Sequence, residues 1–200
     1  ATYLRGNGVI PEKCDLNSIL FLLTPAENKN KMRILVSQLV RFERFVDHDV
    51  PMQEVLLGVY NSHPDRYAGY TIRQLCQEMH DFYKARNVKD LQKKLFRREY
   101  LPEYAMNAQD AQYAFIRGQG ELVPLDEIEG RIALEGALPY PPGVLCVVPG
   151  ERWSHTAVQY FKALEEGLNE LPGFASEIQG VYLEKEDDGR IHAYGYVLKE

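Results

Sequence analysis

The segment Glu135–Glu151, EGALPYPPGVLCVVPGE, sets four prolines and three glycines around the apolar run VLCVV. Each proline fixes φ and removes a backbone donor, and the residue before it is driven towards extended conformations. The sequence therefore predicts a stiff, extended bend at PYPPG that feeds a buried strand at Val144–Val148, with Tyr140 held between prolines. The stretch contains no nucleophile, general base or metal-binding cluster. Its rigidity reads as placement: an ordered wall or an interface.

The surrounding 200 residues are 45% hydrophobic and 26% charged, an ordinary soluble globular composition and long enough to bury a sizeable core. A net charge of −6 argues against nucleic acid or an anionic membrane surface as a partner. The one basic run, Lys89–Glu99, has Leu91, Leu95 and Phe96 at helical spacing and reads as a solvated helix face. Cys14, Cys76 and Cys146 are too few and too scattered for a disulfide framework, and they predict reduced thiols in a cytoplasmic protein. No run approaches the ~20 apolar residues of a membrane span, and no basic n-region precedes an apolar h-region, so no secretory signal is expected.

Along the chain, Tyr3 and Leu4 followed by Gly6-Asn7-Gly8 read as the last turn of a helix, so the segment is expected to be cut from a larger protein. VIPEKCD and NSILFLLT predict two short strands about the turn formers Asp15 and Asn17, with Ile19–Leu23 covered on both faces. An amphipathic helix follows, its apolar side marked by Met32, Leu35, Val36, Leu39, Val40 and Val46. Residues 51–118 are helical in pattern and residues 119–200 mix strand and helix. Ser154 caps a helix ending at Leu171 before Pro172-Gly173, and Asp187–Gly189 turns a closing hairpin. The fold class is α+β.

Candidate chemistry is sparse. Cys76 and His80 share a helix face at i, i+4 but have no third ligand, so a metal site is not expected. His48 and His155 are isolated. Ser154 and His155 are neighbours on a helix start and point apart, and no G-x-S-x-G elbow or phosphate-binding loop occurs. Glu12, after Pro11 in a strand-like segment, is the exception. As an edge glutamate it pairs with Lys13 or faces solvent; half-buried, it can receive a substrate ammonium through charge-assisted hydrogen bonds.

Four ordered blocks then carry a resemblance: GVIPEKCDLNSILFLLTPAE, GYTIRQLCQEMHDFYK, LVPLDEIEGRIALEGALPYPPGVLCVVPGE and LPGFASEIQGVY. Together they resemble the bacterial ornithine/lysine/arginine decarboxylases, pyridoxal-phosphate enzymes of aminotransferase-like fold, over essentially the whole chain and nearest the ornithine branch. The resemblance implies that residues 1–50 close the small domain of the catalytic core and residues 51–200 form the C-terminal domain. It implies a parent that converts L-ornithine to putrescine and carbon dioxide, the cofactor acting as electron sink. The family's cofactor-anchoring lysine follows a Ser-x-His signature that is absent here, and the aspartate facing the pyridine nitrogen lies in the missing large domain. Neither catalytic nor cofactor-binding residues are therefore expected in this segment. Glu12, by its place in PEK, matches a glutamate near the distal end of the substrate and is the expected partner of the ornithine δ-ammonium. The implied partners are L-ornithine, the rest of the parent chain and further subunits of a homo-oligomer, at least a dimer. The alternatives are a free-standing binding or regulatory module, or the equivalent segment of a lysine or arginine decarboxylase.

Overall fold

A computed structural model describes residues 1–140, 143–174 and 176–200. The expected bend at PYPPG falls partly on Pro141 and Pro142, outside the described residues. The chain divides into two compact units, Ala1–Lys84 and Ala85–Glu200. Each is described by itself.

The first unit opens with α1 (Thr2–Gly6), whose Tyr3 and Leu4 are buried. A hairpin of β1 (Lys13–Cys14) and β2 (Ile19–Leu20) follows, antiparallel with Lys13 opposite Leu20. Its turn is built by Asp15, whose carboxylate accepts the backbone N–H groups of Asn17 and Ser18, each at 2.6 Å. This is the local competition that favours Asp in turns. Next comes α2 (Lys29–Asp47), started by Asn28, whose side chain accepts from the N–H of Asn30 and Lys31. Tyr3 packs on Phe42 and Phe45 of this helix, with ring centroids 5.1 and 5.9 Å away.

The predicted helix and the two strands about the Asp15 turn are thus present, the strands shorter than predicted, but the predicted burial is not. No residue of α2 is buried, and Leu22 and Leu23 are each 65% exposed rather than covered on both faces. No element of this unit covers that side.

The rest of the unit closes around its own small core. Two short helices, α3 (Met52–Val55) and α4 (Leu57–Ser62), lead to α5 (Ile72–Ala85). Thr71 starts α5 with a reciprocal cap: the Gln74 N–H donates to the Thr71 hydroxyl, and the Thr71 N–H donates to the Gln74 side chain. Met52, Tyr67, Ile72 and Leu75 are buried here.

The second unit begins with α6 (Val88–Lys94) and a 3-10 turn at Arg98–Tyr100, so the basic run is helical only in its first part. Then follow β3 (Glu103–Tyr104), α7 (Ala108–Ile116), β4 (Gly120–Pro124), β5 (Leu138–Tyr140) and β6 (Glu151–Arg152). The chain ends with α8 (His155–Glu170), β7 (Glu177–Gln179), β8 (Tyr182–Lys185) and β9 (Ile191–Leu198). A three-stranded antiparallel sheet, β4-β9-β8, is joined by two small pairings, β3 with β6 and β5 with β7. Helix α8 packs on β9 and α6. Its apolar side, with Trp153, Phe161, Ile128, Leu125 and Val197, forms the core, and the Trp153 and Phe161 rings meet edge-on at 5.3 Å.

The capped helix at Ser154 and the hairpin at Asp187–Gly189 match the sequence reading. The strand at Val144–Val148 does not. Only Val147 makes a sheet-like bridge, to Ala137, and Val144, Leu145 and Val148 are exposed. Cys146 and Val147 are the buried pair. The ladder forms instead at Leu138–Tyr140 against β7, with Pro139 opposite Ile178. Proline is tolerated there because each of these two-stranded pairings is all edge.

Candidate functional site

Glu12 stands at the mouth of the β1–β2 hairpin, where its N–H donates to the Leu20 carbonyl at 2.9 Å. Pro11 before it is buried, while Glu12 and Lys13 are exposed. Among the described residues no ion pair joins Glu12 to Lys13. The carboxylate is therefore presented rather than enclosed in this unit. Beside the hairpin lies an apolar groove of about 330 Å³ lined by Ile10, Phe21, Leu22, Leu23, Met32 and Ile34. Glu27 and Lys31 border it and pair with each other at 3.3 Å.

The other sequence candidates make local contacts. Ser154 accepts the Ala157 N–H at 3.3 Å as a helix cap, and His155 Nδ1 lies 3.0 Å from Glu129 on the surface. His48 Nδ1 contacts the Arg44 carbonyl at 2.8 Å. The Cys76 thiol is pushed up by burial. Among the described residues no cluster of three His, Cys, Asp or Glu side chains could hold a metal ion. Cys146 is buried and its thiol is raised to about 12 by desolvation, so it is inert rather than nucleophilic.

One polar constellation escaped the sequence reading. Arg66 lies over the rings of Tyr67 and Tyr70, at 5.0 and 5.2 Å, and pairs with Glu78 on α5. Its Nη1 also donates to the Tyr70 hydroxyl at 2.9 Å. Tyr67 is fully buried, and desolvation raises its hydroxyl to about 12. The signal was there in Arg-Tyr-x-x-Tyr, a cation between two aromatic faces. The cluster ties the 63–70 loop to α5.

The segment also fails to fit pyridoxal phosphate. A lysine that anchors an aldehyde cofactor needs an enclosed, desolvated amine. Among the described residues no lysine is buried, and Lys31, Lys94 and Lys162 are engaged by Glu27, Asp90 and Asp126.

A family profile described as "Orn/Lys/Arg decarboxylase, C-terminal domain" matches residues 89–199, more than half of the chain. The chain belongs to this family. Over 200 residues it is 66% identical to an ornithine decarboxylase of Haemophilus influenzae, covering all of this chain and 28% of that protein. It is 63% identical over 199 residues to the inducible ornithine decarboxylase of Escherichia coli, covering 27% of it. Among solved structures, lysine decarboxylase A from Pseudomonas aeruginosa superposes with a TM-score of 0.88 at 32% identity, over 99% of this chain and 26% of that one. The α+β class is therefore that of its relatives. The chain spans a little over a quarter of the length of the relatives it matches and corresponds to their C-terminal part. Among the described residues, no helix is long and apolar enough to cross a membrane.

Proposed function

We propose that the chain is the C-terminal portion of an enzyme that decarboxylates L-ornithine to putrescine and carbon dioxide. One observation carries the ornithine assignment. Identity to relatives named ornithine decarboxylase is 57–66%, against 32–35% for those named lysine decarboxylase. The chemistry that pyridoxal phosphate would supply in such a parent enzyme is an electron sink for the decarboxylation. The cofactor's lysine and the groups around it belong to the part of the parent outside this chain.

In this reading residues 1–50 complete the small domain of the catalytic core, and residues 51–200 form the C-terminal domain. The exposed apolar side of the β1–β2 hairpin and α2 supports the first assignment, since it needs a covering layer. Glu12 projects from that hairpin and receives the δ-ammonium at the far end of the substrate. A carboxylate there selects for a second cation at a fixed distance from the reacting carbon. The second unit, with its stiff 135–151 segment, shapes the substrate entrance and contacts neighbouring subunits of a cytoplasmic homo-oligomer, at least a dimer.

The test is carbon dioxide release by the full-length protein with pyridoxal phosphate, comparing ornithine and lysine. A larger kcat/KM for ornithine is expected. Preference for lysine or arginine, or no turnover of any of them, overturns the assignment.

A further inference from the structure

The start of β9 is stitched to α8 by side chains. Asn169 makes a two-way bond with Ile191: its Nδ2 donates to the Ile191 carbonyl, and its Oδ1 accepts the Ile191 N–H, both at 2.8 Å. Glu165 Oε2 accepts the Ala193 N–H at 2.8 Å, and Arg190 Nη2 lies 3.2 Å from Glu170 Oε1.

His192 sits among these contacts. Its Nε2 is 3.1 Å from Asp188 Oδ2 in the hairpin turn, and its Nδ1 is 3.8 Å from Glu165 Oε1 on α8. Glu184 is its cross-strand partner on β8. Glu186, which accepts from the Tyr194 hydroxyl, completes an acidic surround. Lys162 and Arg190, which act on Glu165 and Asp188, are themselves paired with Asp126 and Glu170. One imidazole therefore faces carboxylates from the turn and from α8, with Glu184 opposite it in the β8–β9 register.

We propose that His192 is a proton-operated clasp that fastens the β8–β9 hairpin to α8 in mildly acidic solution and releases it as the solution turns alkaline. When protonated, the ring donates from Nε2 to Asp188 and holds its positive charge 3.8 Å from the Glu165 carboxylate. When neutral, it donates from only one, and the other turns a lone pair towards a carboxylate. The surrounding carboxylates then repel one another with one cation fewer among them, Lys162 and Arg190 remaining.

The directions of titration agree. His192 is raised above its ordinary 6.5, chiefly by the bond to Asp188, with Glu186 and Glu165 adding to it. A raised histidine stabilises the closed state fully below its ordinary value, and that contribution is lost as pH rises through the folded value. Glu165 acts in the same sense. Burial raises it, so its charge weighs against the closed clasp at neutral pH and less in acid. Asp188 sets the lower limit. Its carboxyl is held below the usual range by the Arg190 N–H and then by His192, so the pair survives until pH falls through that lowered value.

The test is hydrogen–deuterium exchange of the full-length protein at about pH 5.5 and about pH 8.5, either side of histidine's ordinary range, corrected for the intrinsic pH dependence of exchange. Peptides covering Tyr182–Leu198 of the unaltered protein are expected to open severalfold more often at the alkaline pH. His192→Lys keeps the charge and is expected to protect the hairpin at both values. His192→Gln is expected to leave it loose at both. Flat protection in the unaltered protein, a persisting pH step in His192→Gln, or no protection in His192→Lys overturns the proposal.

Discussion

Replacing Gly180 by alanine should break the small β5–β7 pairing. Gly180 has φ +76°, and a Cβ placed on it would lie 1.9 Å from the Gly136 carbonyl oxygen, 2.7 Å from its carbon and 3.0 Å from Ala137 Cα. All three are backbone atoms, which no rotamer change can move aside. The two chains must separate by at least about 1.1 Å to bring that oxygen into tolerable contact. Gly180 directly follows β7, whose Gln179 and Ile178 pair with Leu138 and Pro139. The separation therefore falls on the ladder and on buried Ala137 and Ile178. The left-handed backbone alone costs an alanine about 1 kcal/mol. Weakened ladder hydrogen bonds at about 1 kcal/mol each and loosened packing bring the total to about 4 kcal/mol. In hydrogen exchange on the full-length protein, that corresponds to about a thousandfold faster opening of peptides spanning 136–140 and 177–181. Gly189 supplies the control. It has a similar φ of +80°, but a Cβ there meets nothing within 4 Å. Gly189→Ala should pay only the backbone term, about 1 kcal/mol or roughly fivefold, confined to the hairpin tip. Equal effects from the two substitutions would refute the steric reasoning.

Three other perturbations test separate parts of the molecule. Glu12→Gln in the full-length enzyme should raise KM for ornithine about 10- to 100-fold, the value of a charge-assisted hydrogen bond, without moving Tm; unchanged kinetics would remove Glu12 from the site. Thr71→Ala removes one half of the reciprocal cap on α5 together with the Thr71 hydroxyl's bond to Asp49, and should cost about 2 kcal/mol, read as faster exchange in the first turn of that helix and around Asp49. Cys146, buried with its thiol raised to about 12, should resist iodoacetamide at about pH 8 until the second unit unfolds. Mass-spectrometric labelling of Cys146 in the native protein would contradict its placement.

What the sequence disclosed was what short range decides. The hairpin turn at Asp187–Gly189 and the cap at Ser154 are read correctly because their signals lie within a few residues of the structure they direct. The segment Val144–Val148 is misread because its apolar run has no nearby partner. Whether it becomes a strand depends on Ala137 and on β7, about 30 residues away, and β7 pairs with Leu138–Tyr140 instead. Glu12 shows the same limit on the side of function. Its hairpin follows from Asp15 and Asn17, but its proposed role rests on the family motif, because Glu12 is exposed and the described residues do not enclose it.

The two units also differ in kind, and the difference follows from which surfaces they satisfy themselves. In the second unit the apolar positions of α8 meet Trp153, Ile128 and β9, and Thr156, Ala157, Val158, Tyr160, Phe161, Ala163 and Leu164 of that helix are buried. In the first unit α2 has an equally regular apolar pattern, yet Ile34, Val36, Leu39 and Val40 remain exposed, as do Ile19, Leu20, Leu22 and Leu23 on the hairpin. Periodicity specifies that a face will be buried, not what buries it. An apolar surface of this extent is not stable against water on a lone chain. On the proposed reading, the hairpin that carries Glu12 takes its covering layer from the rest of the parent chain. If Glu12 meets ornithine, the same layer that covers Leu22 and Leu23 fixes the direction of its carboxylate. Substituting aspartate or lysine for Leu22 or Leu23 should then impair the enzyme through its assembly, lowering soluble yield and cofactor retention together while leaving exchange across β4, β8 and β9 unchanged. Exchange rising equally in both units would show that the second unit does not stand on its own core.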